Sequence, residues 1–471
     1  MAAILTDRFR VVLAENFRSR VELGETSSDA SAIDLWLFFA KATQWPLDGG
    51  SEVRPNPIDN QKESFEIYDQ MIGLKKISSS NIRAVIRNNV WESGKIYDAY
   101  RDDYGSKVLG TSTGELVSTV SAETKLYETS FYVVNDQFRV YKCISNNEGA
   151  ASTVQPSTIT SAPFTLSDGY IWKYMYSINA NDFEKFKTDD YIPIPLSTET
   201  NNQLLTDSIY NIEIESGGTG YTTGAIFNIQ GDGVGAQATI TSVDGADGAI
   251  TGVKIINPGN GYTYAQCAPQ GGNNAILRPI ISPKEKIAFS PESIALELGA
   301  YRLALSAVLD KNDFVFENDF RIVGIIYNPT INSTNSVTAI GTKKLKLDGA
   351  ISTQIPDDAV ITGSNGATGT FIEYTEEIIG GTTQYFIYFT QENIVGRGIN
   401  SSGQRLSFSP GMNITIENGA NDISATISTD TDSVSNPDIS RGTGEIIYID
   451  NRDAISRAAD QTEDFKIILE F

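Results

Sequence analysis

Histidine is missing from this chain of 471 residues, and that one absence removes much of catalysis. Without an imidazole there is no Ser/His/Asp or Cys/His nucleophilic system, no histidine-ligated zinc, and no ordinary general base near neutral pH. Cysteine is nearly as scarce. Cys143 and Cys267 stand without any C-x-x-C pattern, in what read as different structural units, so two reduced thiols are expected rather than a disulfide framework. Positive charge is the minority sign: 36 Lys and Arg face 59 Asp and Glu, a formal net charge of -23 with no basic run. Nucleic acids and anionic membranes both need a basic footprint, so neither is expected as a partner. Long apolar runs are absent too. The longest, Leu35 to Ala40, falls far short of the roughly 20 residues that span a bilayer, and "MAAILTDRFR" carries charge where a signal peptide would be apolar. A soluble, unexported chain is the expectation.

What the chain has in quantity is 40 Gly, 21 Tyr and 21 Phe, the makings of strands joined by tight turns. Its length allows about two to four domains at roughly 100 to 200 residues each. Near the N-terminus Phe9, Val12, Leu13, Asn16 and Phe17 follow helical spacing with Thr6 as N-cap, which predicts an amphipathic helix. "SAIDLWLFFAKATQWP" is ambiguous on its residues. Ser31 and Asp34 resemble a capping box, whereas Ile33, Leu35, Leu37 and Phe39 alternate as in a strand, which is the favoured reading. "FEIYDQMIGLKK" and "SSSNIRAVIRN" read as short helices or turns. "SFYVVNDQFRVYKCISN" reads as a hairpin about Asn135-Asp136, and in "DDYIPIPLS" Pro193 and Pro195 permit only an edge or a connection.

Two stretches, "ESGGTGYTTG" at 215–224 and "NPGNGYTYA" at 257–265, share a G-x-G-Y-T frame between strand-like runs. Gly218, Gly220 and Gly224 miss the G-x-G-x-x-G spacing, and no helical pattern follows to offer an anion-binding N-terminus, so a pseudo-repeated β unit is expected instead of a nucleotide loop. From about Thr338 a second turn-and-strand region begins, and it ends in "STDTDSVSNPD", which reads as a linker. "DKNDFVFEND" is no calcium loop: Asp310, Asn312 and Phe314 break the pattern, and position twelve is Arg321 rather than Glu. In "GEIIYIDNRDAISRAADQTEDFKIILEF", Phe465, Ile467, Leu469 and Phe471 alternate on a closing strand. Asn451, Arg452, Gln461, Thr462 and Glu463 form a polar set whose weightier reading is backbone satisfaction at a sheet corner. No catalytic, cofactor-binding or metal-binding residue is expected, and no small-molecule substrate.

The C-terminal piece, with "VYKCI", "DGYIWKYMYSI", "DDYIPIP", "RIVGIIYNP", "ILTDRFR" and "LWLFFAKATQWP", resembles the homodimeric baseplate wedge subunit of T-even-like contractile-tailed bacteriophages, the gene-product-eight type. The likeness runs discontinuously over about residues 1–205, 285–335 and 436–471. It implies a mainly β fold, a β-sandwich core with a few helical excursions, and a strand at Ile33 to Ala40. It further implies a homodimer that is a non-enzymatic, cofactor-free virion component, assembled in the host cytoplasm and bound to other wedge proteins of the tail baseplate. The chain departs from that pattern by two β-rich insertions. The expected organisation is a first core segment at 1–205, an inserted β domain at 206–284, a second core segment at 285–335, a second inserted β domain at 336–435 and core C-terminal strands at 436–471. Two rival readings are a tail adhesion protein that recognises host glycans or a receptor through the insertions, favoured by clustered exposed aromatics, and a carboxylate-dependent glycan hydrolase.

Overall fold

Aromatic and β-branched residues between glycine turns produce the expected result: in a computed structural model the chain is mainly β. Four α-helices accompany the strands among the described residues, α1 at Asp7–Thr26, α2 at Gln61–Gln70, α3 at Ala180–Phe186 and α4 at Pro291–Leu298. The structure describes residues 4–26, 31–107, 116–119, 122–160, 162–196, 207–283, 291–311, 313–333, 337–392, 394–395, 398–458 and 460–471. The expected domain limits near 205, 284 and 335 fall outside these residues. Two compact units are present, one comprising Met1–Asn16, Arg83–Ala304 and Ile468–Phe471, the other Phe17–Ile82 and Leu305–Ile467.

In the first unit the anticipated hairpin forms from strands Tyr132–Val134 and Arg139–Ser145. Its turn is held by the Asn135 side chain, which accepts from the backbone N–H groups of Gln137 and Arg139 at 3.0 and 2.9 Å. Strand Ile171–Ser177 pairs on the other side of Arg139–Ser145, and Phe164–Thr165 completes a four-stranded sheet. Tyr97, Tyr141, Cys143, Tyr170 and Trp172 pack on it as one buried cluster, with Tyr170 stacked on Trp172 at 5.5 Å. Strand Tyr191–Pro193 is the expected edge, pairing antiparallel with residues 85–87. The "SSSNIRAVIRN" reading needs correction there, because after one 3-10 turn Ser79–Asn81 the chain becomes strand Ile82–Arg87.

Residues 209–281 of the same unit form a two-stranded ribbon, Ile209–Thr219 with Asn273–Ile281, and a four-stranded sheet in the order Ile250–Asn257, Gln237–Val243, Ile226–Gly231, Ala265–Cys267. They share one apolar core that includes Ile212, Phe227, Ile240, Ile250 and Leu277. The repeated turns have the backbone their glycines allow: Gly218 and Gly220 have φ of 61° and 81°, and Gly259 and Gly261 have 62° and 77°. A Cβ on Gly218 would lie 2.3 Å from the Asn273 carbonyl oxygen, and one on Gly259 2.6 Å from that of Val234. Tyr221 and Tyr262 are buried below the turns, and the Tyr262 hydroxyl accepts from Ala236 N–H at 3.2 Å and donates to the Ile229 carbonyl at 3.3 Å. A strand, not a helix, follows Gly224, so the opening for a phosphate is missing. The segment enters and leaves at one place, with Ser208 N–H bonded to Ser282 Oγ at 3.0 Å and Ser282 N–H to the Ser208 carbonyl at 2.8 Å.

The second unit contains a five-stranded sheet in the order Thr338–Ile340, Met71–Ile77, Leu35–Ala40, Phe320–Tyr327, Glu445–Ile455. Leu35–Ala40 is the strand favoured from the sequence, and every one of its residues is buried. As a central strand covered on both faces it loses the polar alternation that an exposed face would give. "FEIYDQMIGLKK" is half helix and half strand. Helix α2 is capped by Asn60, whose Oδ1 accepts from Glu63 N–H at 2.9 Å, and Met71 then begins a strand. A seven-stranded sheet follows, in the order Ile423–Thr426, Asn413–Ile416, Val360–Gly363, Thr368–Ile379, Thr382–Thr390, Lys343–Leu347, Val434–Ser435. Its core, with Leu345, Ile361, Ile387, Phe389 and Ile416, is drawn from residues 345–427. "STDTDSVSNPD" is therefore more than a linker: the Ser433 carbonyl accepts from Lys346 N–H at 2.7 Å and Val434–Ser435 closes the sheet edge.

The N-terminal helix α1 begins as anticipated, with Thr6 Oγ1 accepting from Phe9 N–H at 3.3 Å as an N-cap. Its buried face is not the anticipated one. Val11, Ala14 and Val21 are buried, while Phe9, Val12 and Leu13 are exposed. The buried positions, spaced by three and seven, share one helical face, but it is made of smaller residues that counting large apolar side chains overlooks.

Candidate functional site

The polar set near the C-terminus is placed by two strands. Glu445–Ile455 is the outer strand of the five-stranded sheet, and Glu463–Glu470 is the last strand of the chain. Asn451 Nδ2 donates to the Pro55 carbonyl at 3.0 Å, and the Arg452 carbonyl accepts from the Trp45 indole at 2.7 Å. The Arg452 guanidinium meets Asp450 at 2.6 Å, so its charge is spent on a neighbour in its own strand. Gln461 and Thr462 are exposed, with Gln461 N–H bonded to the Ala458 carbonyl at 3.0 Å. Glu463 is buried and ion-paired with buried Arg457. The set therefore disperses, its members serving a strand end, a loop and a buried ion pair. Arg457 was not singled out from the sequence. Burial pushes the Glu463 carboxyl upward, and the Arg457 charge opposes that rise. Of the alternating apolar residues on the last strand, Ile467 is buried and Phe465, Leu469 and Phe471 are half-buried.

A second charged cluster lies in the first unit, where Lys142 and Lys173 are direct cross-strand partners and both are completely buried. Glu297, from helix α4, ion-pairs with Lys142. Lys173 Nζ donates to the Tyr210 hydroxyl at 2.9 Å, and Lys142 Nζ lies 4.3 Å from the centres of both the Tyr100 and Tyr210 rings. Burial would raise the Glu297 carboxyl, but the charges of Lys142 and Lys173 outweigh it and hold it below its ordinary value. No acid–base pair is left open by this arrangement, because each charge is enclosed by its partners. In the sequence the only trace is a lysine amid aromatics in both "VYKCI" and "YIWKYMY".

Other sequence candidates resolve as structure. Asp313 accepts from Lys75 Nζ at 2.6 Å and from Asp310 N–H at 2.9 Å, while Phe314 and Phe316 stack in the core; Asn312 lies outside the described residues. Among the described residues no group of three or more Cys, Asp and Glu could hold a metal ion. Cys143 and Cys267 are buried and free, both in the first unit but in separate apolar clusters, and burial pushes the Cys267 thiol up to about 12. Among the described residues of the two β-rich blocks Tyr264 is the exposed aromatic, so the clustering that would favour glycan recognition is not seen there. No helix is long and apolar enough to cross a membrane among the described residues.

Residues 409–471 match the family model described as Bacteriophage T4, Gp8. The matched stretch contains both C-terminal strands with their Asn451, Arg457 and Glu463 contacts, and it begins inside the second β-rich block. The likenesses read at 1–205 and 285–335 lie outside it. No curated protein matches the chain significantly. The family match supports a structural role in a phage baseplate, and so a place in the virion tail among other baseplate proteins, and it points away from catalysis.

Proposed function

We propose that this chain is a wedge-type structural subunit of a contractile-tail baseplate, one that associates with a second copy of itself and links other wedge proteins. The observation that carries the reading is the family match over 409–471, a stretch that includes Glu445–Ile455 at the rim of the five-stranded sheet and Glu463–Glu470 after it. The polar residues there support it, because Asn451, Arg452, Arg457 and Glu463 are engaged in holding strands rather than poised around a reacting atom. Function then resides in surfaces that neighbours cover. The β-rich blocks at 206–284 and 336–435 are read as insertions that add surface to that frame.

The test is location. Tails from the encoding virus, with an epitope placed after Phe471, are labelled with gold-conjugated antibody and viewed by negative-stain microscopy. Gold at the baseplate is expected. Gold confined to fibre tips would overturn the wedge assignment in favour of adhesion, and intact tails that carry none of the chain would overturn it altogether.

A further inference from the structure

The second unit contains a cavity of about 340 Å³ where the seven-stranded sheet, α2 and the 436–441 segment meet. Among its lining residues are three cations, Lys343, Arg405 and Arg441, and one carboxylate, Asp69. In a chain with 59 acidic against 36 basic residues, this is a local inversion of charge.

The carboxylate is already engaged. Arg441 grips it with two bonds, Nε to Oδ1 at 2.6 Å and Nη2 to Oδ2 at 2.9 Å, and the same guanidinium lies 4.7 Å from the Phe65 ring centre. Lys343, the first residue of its strand, points its ammonium to Gln391 Oε1 at 2.5 Å, a neutral acceptor that leaves the charge uncompensated. Arg405 is exposed and has no ion-pair partner among the described residues. Gln391 is fixed in turn by donating Nε2 to the Leu406 carbonyl at 2.8 Å, and Asn332 Nδ2 donates to Ser440 Oγ at 3.0 Å, so the polar wall is ordered before anything enters.

We propose that this cavity binds a small multivalent oxyanion, a phosphate or a polycarboxylate, held between Lys343 and Arg405 with Ser440 as a neutral donor. Forked guanidinium donors and an ammonium suit such oxygens, and preorganised donors avoid most of the ordering cost of binding. The protonation of Lys343 agrees with the geometry. Burial, and then the charge of Arg405, bring its ammonium down to about 8, with Asp69 pulling the other way. An entering anion supplies the missing counter-charge, so binding is strongest below that value and weakens as Lys343 loses its proton. The charged groups that line the cavity with Lys343 are Arg405, Arg441 and Asp69; Glu392 and Asp438, near in the chain, are outside the lining.

Isothermal titration of the full chain with inorganic phosphate, and separately with citrate, at constant ionic strength in chloride, tests this. Saturable one-site binding of at least one of the two is expected, with affinity falling about tenfold from pH 7 to pH 9. Arg405→Ala, which truncates an exposed side chain and leaves the backbone bridge to Ile399, should weaken it at least tenfold, and Lys343→Met should remove the pH dependence that Lys343 contributes. Arg54→Ala, another exposed cation outside the cavity, should leave affinity unchanged. Binding of neither probe at millimolar concentration would overturn the proposal, as would Arg405→Ala with parental affinity or Arg54→Ala with an equal loss.

Discussion

Glu297 shows how one carboxylate can decide whether its surroundings are tolerable. Lys142 and Lys173 face each other across two paired strands with no solvent contact, an arrangement in which like charges repel at low dielectric. Glu297 lies against Lys142, and Tyr210 joins it to Lys173. Removing one member of a buried ion pair costs about 3 to 5 kcal/mol, against a total stability of about 5 to 15. Glu297→Gln, which keeps the shape and deletes the charge, is therefore expected to lower the urea midpoint sharply in equilibrium unfolding. The acid limb carries the sign. Because the folded value of Glu297 lies below the unfolded one, its contribution is complete above the unfolded value, about 4.3, and is lost as pH falls through the folded value. The parent should thus lose stability more steeply than the variant on acidification below about pH 4.3. A variant with the parental midpoint and acid limb would mean that the Glu297 charge does not hold this cluster together.

At the scale of elements, local pattern was readable wherever one face of an element meets water or a turn imposes its own chemistry. The hairpin at Asn135, the edge strand at Pro193 and both G-x-G-Y-T turns belong to this class. Of the central strands, Leu35–Ala40 was favoured from its alternation, but Met71–Ile77 did not announce itself. Met71–Ile77 carries Gly73, where an added Cβ would lie 2.6 Å from the Phe39 ring, so its place is fixed by a partner 34 positions away in sequence and not by its own alternation. The ion pair Lys142–Glu297 was hidden for the same reason, since pairing across 155 positions has no local signature, whereas Arg457 and Glu463 stand in one short stretch and only their burial was not legible. The block at 209–281 carries a test at this scale. Its core is its own and its ends meet at Ser208 and Ser282, so replacing 214–277, beyond the cross-strand pair Glu213 and Arg278, by a short Gly/Ser linker should cost the remainder little. Loop closure changes by only about 0.6 kcal/mol per doubling of length. A cooperative melt within a few degrees of the parent is expected by calorimetry, and aggregation of the shortened chain would show that the block is integral to its unit. Contacts with the rest of the unit set the limit of this separation: Tyr210 reaches Lys173, Glu213 lies 3.5 Å from Arg101, and Arg278 lies 3.0 Å from Asp103, so the cross-strand pair Glu213 and Arg278 is kept and the linker joins them.

For the molecule as a whole, charge and open edges act in opposite directions. A formal charge of -23 on each copy makes approach of two copies unfavourable over a Debye length, about 8 to 10 Å near physiological salt. Against this, among the described residues sheets end in strands with no strand partner on one side, such as Glu445–Ile455 in the five-stranded sheet; the seven-stranded sheet is partly turned back on itself, with Ile427 bridged to Leu347 and the Thr426 carbonyl accepting from Asp348 N–H at 3.0 Å. Open edges invite coverage by a neighbour, and a closed two-fold pairing covers equivalent surfaces on both copies at once. If the chain self-associates as proposed, the attractive component is short-ranged and the repulsive component is screened by salt. Light scattering at micromolar concentration should then give twice the chain mass of 51.2 kDa, with the dimer tightening as sodium chloride is raised from about 50 to about 300 mM. An interface built on complementary charges would loosen over the same range. A mass of 51.2 kDa at every concentration and salt would remove self-association and leave the other baseplate proteins to cover those edges.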